Sequence, residues 1–178
     1  ESKRDVSVGT SLLESRSIFG SRELFKEFEK KVLLKQSWKN EKFFSAKIDE
    51  QSNRHNRFNN TAYNLEPNIK DGPGGLRDAH TIFWIAKKLG YTSIAALEKD
   101  NILNNEQIRL LQESWGLLSK IRFALHSLAK RPEDRLLFDY QRVLADNFGY
   151  EDSEHLMAVE VFMQDYYKAA KTISRFNE

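Results

Sequence analysis

The chain has 178 residues, 40% of them hydrophobic and 30% charged, and a formal net charge of +2. That length suits one domain with a real core, and the composition excludes a disordered or low-complexity protein. No apolar run approaches the ~20 residues of a membrane span, the small net charge gives no argument for a nucleic-acid partner, and the lack of cysteine excludes disulfides and thiolate catalysis.

Residues Asp5–Val8 alternate polar and apolar, which reads either as the end of one short strand or as a frayed lead-in. Ser11-Leu12-Leu13-Glu14 has the pattern of a capping box, for a helix that runs to Phe19 and stops at Gly20. Ser21 opens a second helix with Leu24, Phe25, Phe28, Val32 and Leu33 on one face. Asn40 is expected to cap a third, from Glu41 to about Phe58. Within it Lys47, Gln51, Arg54 and His55 follow a helical spacing and form a polar, largely basic stripe. That stripe reads either as a solvated face or as a row of donors for phosphates or a base. Trp38, Phe43 and Phe44 are expected to form an exposed apolar patch if they face a domain outside this sequence.

A loop then interrupts the helical pattern over residues 60–78. Its centre, Asn64–Asp78, holds two of the three prolines and three of the eight glycines. Pro67 and Pro73 turn the residues before them away from helix. Gly72, Gly74 and Gly75 permit positive φ or a close approach, and a helix pattern follows at once, so the turn can present N–H groups to an anion. Lys70 and Arg77 bracket it with positive charge. The plainer reading is an irregular helix connection.

Leu76–Leu89 reads as a helix burying Ile82, Phe83, Ile85, Ala86 and Leu89 and ending at Gly90. A short helix follows to Glu98, then the longest run, Glu106 to Lys130, with apolar residues on two sides. Arg122 and His126 fall near its buried surface and are expected to pair with Asp134 or Asp139. Asp139 is placed as the cap of a helix ending at Gly149. Asp152 or Ser153 is placed as the cap of a last helix that buries Leu156, Val159, Met163, Tyr166, Ala170 and Ile173, with Glu160 awaiting a basic partner. The fold class is therefore all-α: a single helical domain over residues 1–178, a bundle of about seven to eight helices with at most one short N-terminal strand.

Catalytic motifs are sparse. The histidines His55, His80, His126 and His155 lack metal-ligand spacing, and no nucleophile elbow, Walker loop or dinucleotide fingerprint occurs. No metal site and no catalytic residue is assigned.

Several stretches together carry a family resemblance: Thr10–Arg16, Ala46-Lys47-x-x-Glu50-Gln51-x-x-Arg54-His55, Tyr63–Lys70, Gly72–Asp78, Ile121–His126, Asp134–Asp139 and Phe162-Met163-x-x-Tyr166-Tyr167. In this order they resemble the bacterial bifunctional PII uridylyltransferase/uridylyl-removing enzymes, specifically the helical segment that follows the nucleotidyltransferase palm. A Gly-Gly-Leu/Ile-Arg-Asp motif also occurs in the related glutamine synthetase adenylyltransferases, and the Asn-Leu-Glu-Pro-Asn stretch favours the uridylyltransferases. The resemblance implies a parent enzyme with palm, HD and ACT domains, cytoplasmic, that moves UMP from UTP to a tyrosine of the signal protein PII with Mg²⁺. The palm's Asp-x-Asp pair and the HD motif lie outside this sequence, so these residues alone are expected to be inactive and to hold no cofactor. On that resemblance Lys47, Arg54, Lys70 and Arg77 are candidate donors to the triphosphate or to PII, and Asn64, Glu66 and Asn68 shape the loop or touch ribose and base. Gly72, Gly74, Gly75 and Asp78 are structural candidates, with Arg77–Asp78 as a possible ion pair. The alternatives are a non-catalytic module docking PII or neighbouring domains, and part of a related stand-alone signalling nucleotidyltransferase.

Overall fold

The computed structural model describes residues 5–31 and 38–177. Among them are seven α-helices, one 3-10 helix and a single isolated bridge between Asn68 and Arg135, so the chain is an all-α bundle. The helices are α1 (Val6–Leu13), α2 (Arg22–Glu29), α3 (Asn40–Asn56), α4 (Leu76–Lys88), α5 (Asn105–Ala129), α6 (Phe138–Asn147) and α7 (Ala158–Asn177), with the 3-10 helix Ile94–Glu98 before α5.

The main core lies where α5 crosses α7. Leu111, Leu118, Ile121 and Leu125 of α5 and Phe162, Tyr166, Ala170 and Ile173 of α7 are almost wholly buried. Each fully buried large apolar side chain stabilises the fold by about 1.5–3 kcal/mol before entropy is counted. α6 adds Leu144 and Ala145, and the loop before α4 adds Ile69. The loop is thus part of the core, not a surface connection.

A smaller core joins α1, α3 and α4 through Leu13, Phe43 and Trp84, with Val6, Trp38 and Ile85 partly buried against it. The exposed patch expected of Trp38, Phe43 and Phe44 is therefore absent: Phe43 is buried and the other two are half-buried. By contrast, α2 buries no residue, and Ile18, Phe19 and Leu24 are exposed. Val32 and Leu33 of the expected α2 face lie outside the described residues.

Several helix starts differ from the sequence reading, and the cause is which side chain reaches the free N–H groups. Asp5 is an N-cap whose carboxylate accepts from Ser7 N at 2.7 Å, so the alternating Asp5–Val8 is the start of α1 and not a strand. α1 then ends at Leu13, with Glu14 at its C-cap, so Ser11 and Glu14 form no capping box and Phe19 is outside the helix. Helix α6 begins two residues early because Glu66, far away in sequence, accepts from Phe138 N at 3.1 Å; Asp139 sits in the first turn instead of capping. Helix α7 begins only at Ala158, whose N–H is held by Asp152 at 2.7 Å. Leu156 stays exposed, and Glu160 accepts from Met157 N rather than meeting a base. In α4 Trp84 is buried, while Ile82, Phe83 and Ile85 are half-buried, and Leu89, just past its end, is exposed. No helix among the described residues is long and apolar enough to cross a membrane.

Candidate functional site

The site is built on the loop that enters α4. Asn68 starts it: its side-chain oxygen accepts from Lys70 N at 3.1 Å and Asp71 N at 2.7 Å, a local turn typical of asparagine. Ile69 N donates to Asp134 O at 2.8 Å and Leu136 N to Pro67 O at 2.9 Å, which ties the loop to the turn after α5. Gly74 has φ +73°, and a Cβ there would run into the backbone of Ala170 on α7. A Cβ on Gly75 would stand 2.7 Å from Ile69 O and 2.8 Å from Gly72 O. Glycine is required at both positions, at Gly74 for conformation and at both for close packing.

The backbone donors that a glycine-rich helix start offers to an anion are already engaged. Gly74 N donates to Asp78 Oδ2 at 2.7 Å, Gly75 N to Gly72 O, Leu76 N to Ile69 O and Arg77 N to Lys70 O. The loop is therefore no backbone phosphate cradle, and any anion it holds is held by side chains.

Asp78 is the lock. It is fully buried, and besides Gly74 it receives Arg54 Nη2 at 2.6 Å and faces His55 Nε2 at 2.9 Å. Arg54 Nη1 also donates to Asp71 O at 2.9 Å. Burial pushes the Asp78 carboxyl up, but the His55 hydrogen bond and the Arg54 charge outweigh it and hold it below the usual carboxylate range. The ion pair of Asp78 is thus with α3 and not with Arg77, because consecutive residues on a helix point in different directions. Arg77 leans instead towards Asp71, with Nε 3.5 Å from Oδ1.

Lys47 is buried too. It pairs with Glu50 one turn on and lies 4.4 Å from the ring centre of Trp84, which also carries Arg77 at 5.7 Å. Burial lowers the Lys47 pKa, opposed by Glu50. The stripe of α3 is therefore no solvated face: Lys47 and Arg54 are buried, and with Arg57, Arg77, Glu50 and Trp84 they line a groove of about 450 Å³ that α1 closes. Arg54 Nε and Trp84 Nε1 are buried there without a hydrogen-bond partner.

Lys70 lies apart from that groove, on a second cluster. Asp134 accepts from Arg122 Nε at 2.6 Å, faces His126 Nε2 at 3.2 Å, and has Lys70 Nζ at 3.7 Å. The expected pairing of Arg122 and His126 is with Asp134, not Asp139. Burial raises the Asp134 pKa, and the bonds from Arg122 and His126 more than offset it. His80, between the two clusters, contacts the rings of Trp84 and Trp115, and its pKa is lowered by burial.

Asn64 and Glu66 stand on the far side of the loop. Asn64 Nδ2 donates to Phe58 O and Thr61 O at 3.3 Å, and Tyr167 donates to Asn64 O at 2.9 Å. Glu66 pairs with Arg135 at 3.1 Å and caps α6. Beyond them an apolar cleft of about 940 Å³ runs between α6 and α7, lined by Tyr63, Leu65, Phe138, Met157, Met163 and Tyr167. Sequence reasoning missed this cleft and the His80–Trp115 contact, since both depend on how helices cross.

A buried carboxylate locking a glycine-proline loop, with basic side chains on either side of it, defines an all-helical module of the kind the sequence motifs suggested. The chain belongs to the GlnD PII-uridylyltransferase family, whose pattern matches residues 42–178. It is 44% identical over 181 residues to the bifunctional uridylyltransferase/uridylyl-removing enzyme of Hydrogenovibrio crunogenus, covering 99% of this chain and 20% of that protein. The enzyme of the same description from Azotobacter vinelandii is 45% identical over 179 residues, with 100% and 20% covered. That from Pseudomonas aeruginosa strain LESB58 is 44% identical over 179 residues, with the same coverage. The chain thus spans about a fifth of the length of these relatives. No solved structure matches it.

Proposed function

We propose that this chain is the substrate-positioning helical segment of an enzyme that transfers UMP from UTP to a tyrosine of the signal protein PII. In that reaction the tyrosine oxygen bonds to the α-phosphorus and pyrophosphate leaves. Such transfers depend mainly on positioning and on neutralising phosphate charge. The observation that carries the reading is the unequal pairing of the four candidate cations. Lys47 and Arg54 are buried and closely paired. Lys70 and Arg77 are each about two-thirds covered, and their nearest carboxylate contacts among the described residues are long, 3.7 and 3.5 Å. The buried pairs fix the loop, and the two loosely paired side chains keep donors for a phosphate or for PII.

Mg²⁺ is assigned to no residue of this chain. Among the described residues no group of three or more His, Asp or Glu side chains is arranged to hold a metal ion, and Asp78 and Asp134 are already occupied by cations. The ion would supply charge neutralisation from another domain of the polypeptide.

The test is Arg77→Ala in the full polypeptide, with steady-state transfer of UMP to PII as readout. Removing one charge-assisted contact raises the KM for UTP or for PII, or lowers kcat, by about tenfold or more. Unchanged kinetics for both substrates would remove Arg77 from the mechanism.

A second reading, docking of neighbouring domains of the same polypeptide, is favoured by the apolar cleft between α6 and α7. Hydrogen exchange compared between this chain and the full polypeptide checks it: protection gained around Met157–Tyr167 supports docking there, and none opposes it.

A further inference from the structure

The Asp134 cluster has more positive charge than its carboxylate can answer. Lys70 and Arg122 bring two permanent charges to one carboxylate, and His126 adds a third when protonated. Arg122 donates to Asp134 only through Nε; its Nη groups have no hydrogen-bond partner among the described residues and are not among the buried unpaired atoms. Its side chain is 32% exposed. Lys70 Nζ, at 3.7 Å, is beyond hydrogen-bond reach of the carboxylate. Several charged donors therefore face outward beside a single anion.

The position of the cluster is fixed. Asp134 is held by its own backbone, which accepts from Ile69 N at 2.8 Å, and Arg77 N donates to Lys70 O at 2.8 Å. Arg122 thus sits beside the loop that carries Lys70 and Arg77, and both Arg77 and Arg122 act electrostatically on His80. Seven residues before Arg122 on the same side of α5, about 10 Å away along the axis, is Trp115. Trp115 is 37% exposed, and its ring is held edge-on by Phe83 at 5.3 Å.

We infer that Arg122 and Lys70 form a binding site for a phosphate-bearing ligand over Asp134, with Trp115 two turns away as a stacking surface for a base. Resting on the positioning role proposed above, it names Arg122, rather than Lys47 or Arg54, as the residue that completes the contact with Lys70. Asp134 competes with the ligand for the same donors and keeps them in place when no ligand is bound.

That competition gives the test its sign. Binding of inorganic tripolyphosphate and of UTP to the full polypeptide is measured by calorimetry. Arg122→Gln weakens tripolyphosphate binding by about tenfold to a hundredfold. Asp134→Asn, which keeps the backbone bond to Ile69, strengthens it by about threefold or more, whereas a merely structural Asp134 would leave it unchanged or weaken it. Arg122→Lys, which keeps the charge, retains part of the affinity and serves if Asp134→Asn unfolds. UTP binding tighter than tripolyphosphate brings the Trp115 surface into the site; equal affinities restrict the site to phosphates. Unchanged tripolyphosphate binding in Arg122→Gln overturns the inference. The positioning role fails separately, if Arg77→Ala transfers UMP normally.

Discussion

Replacing Asp78 tests the lock on which the loop depends. In Asp78→Asn the side chain keeps its shape but loses its charge. One oxygen can still accept from Gly74 N or Arg54, but the new amide N–H₂ then points at the other, itself a donor: Arg54 at 2.6 Å or Gly74 at 2.7 Å. Arg54 is 7% exposed and Asp78 0%, so water cannot replace the lost partner. Breaking a buried pair from one side costs about 3–5 kcal/mol. For a chain of this size that lowers Tm by roughly 6–20 °C. Thermal and urea unfolding followed by circular dichroism measures it. The cycle with Arg54→Met adds a second readout: removing both charges costs less than the sum of the single changes by about 1.5 kcal/mol or more. A loss below about 1 kcal/mol for Asp78→Asn, or strict additivity in the cycle, refutes the lock.

Other outcomes follow from the same geometry. Gly74→Ala is destabilised by more than about 2 kcal/mol in urea unfolding, because φ +73° and the Ala170 backbone both oppose a Cβ. Tyr167→Phe loses the bond to Asn64 O and costs about 1 kcal/mol, read as a shift of the urea midpoint with an unchanged slope. Asp78 and Asp134 both have folded pKa values below their unfolded ones, so their contribution is present above the unfolded carboxylate range and is lost as pH falls through the folded values. Acid titration of stability should therefore steepen below about pH 4 in the wild type and flatten in Asp78→Asn.

Helix order was legible because most helices carry their own apolar period, and two of them, α4 and α6, carry a local glycine stop, Gly90 and Gly149. That Arg122 and His126 pair with a carboxylate beyond the end of α5 was legible too, while the choice of Asp134 over Asp139 came from the short turn that brings Asp134 back onto that helix. What stayed hidden depends on contacts between distant segments. Arg54 and Asp78 are 24 residues apart, and nothing in the local pattern separates a buried basic stripe from a solvated one. Likewise the cap of α6 comes from Glu66, 72 residues before Phe138, so Asp139 was the nearest visible candidate. The start of α1 was hidden by β-branched Val6 and Val8, which alternate like a strand until the Asp5 cap decides the matter. As for the site, the loop and its bracketing cations stood out in the sequence, whereas the difference between buried and loosely paired cations needed three dimensions.

The central claim is that this segment's loop positions the nucleotide, and photo-crosslinking tests it most directly. The full polypeptide is irradiated with 5-azido-UTP and the labelled peptides are mapped. Label in residues 64–78 or 115–126, competed by UTP and reduced in Arg77→Ala, is the predicted result. Label confined to regions outside these 178 residues, with Arg77→Ala indistinguishable from wild type, contradicts it.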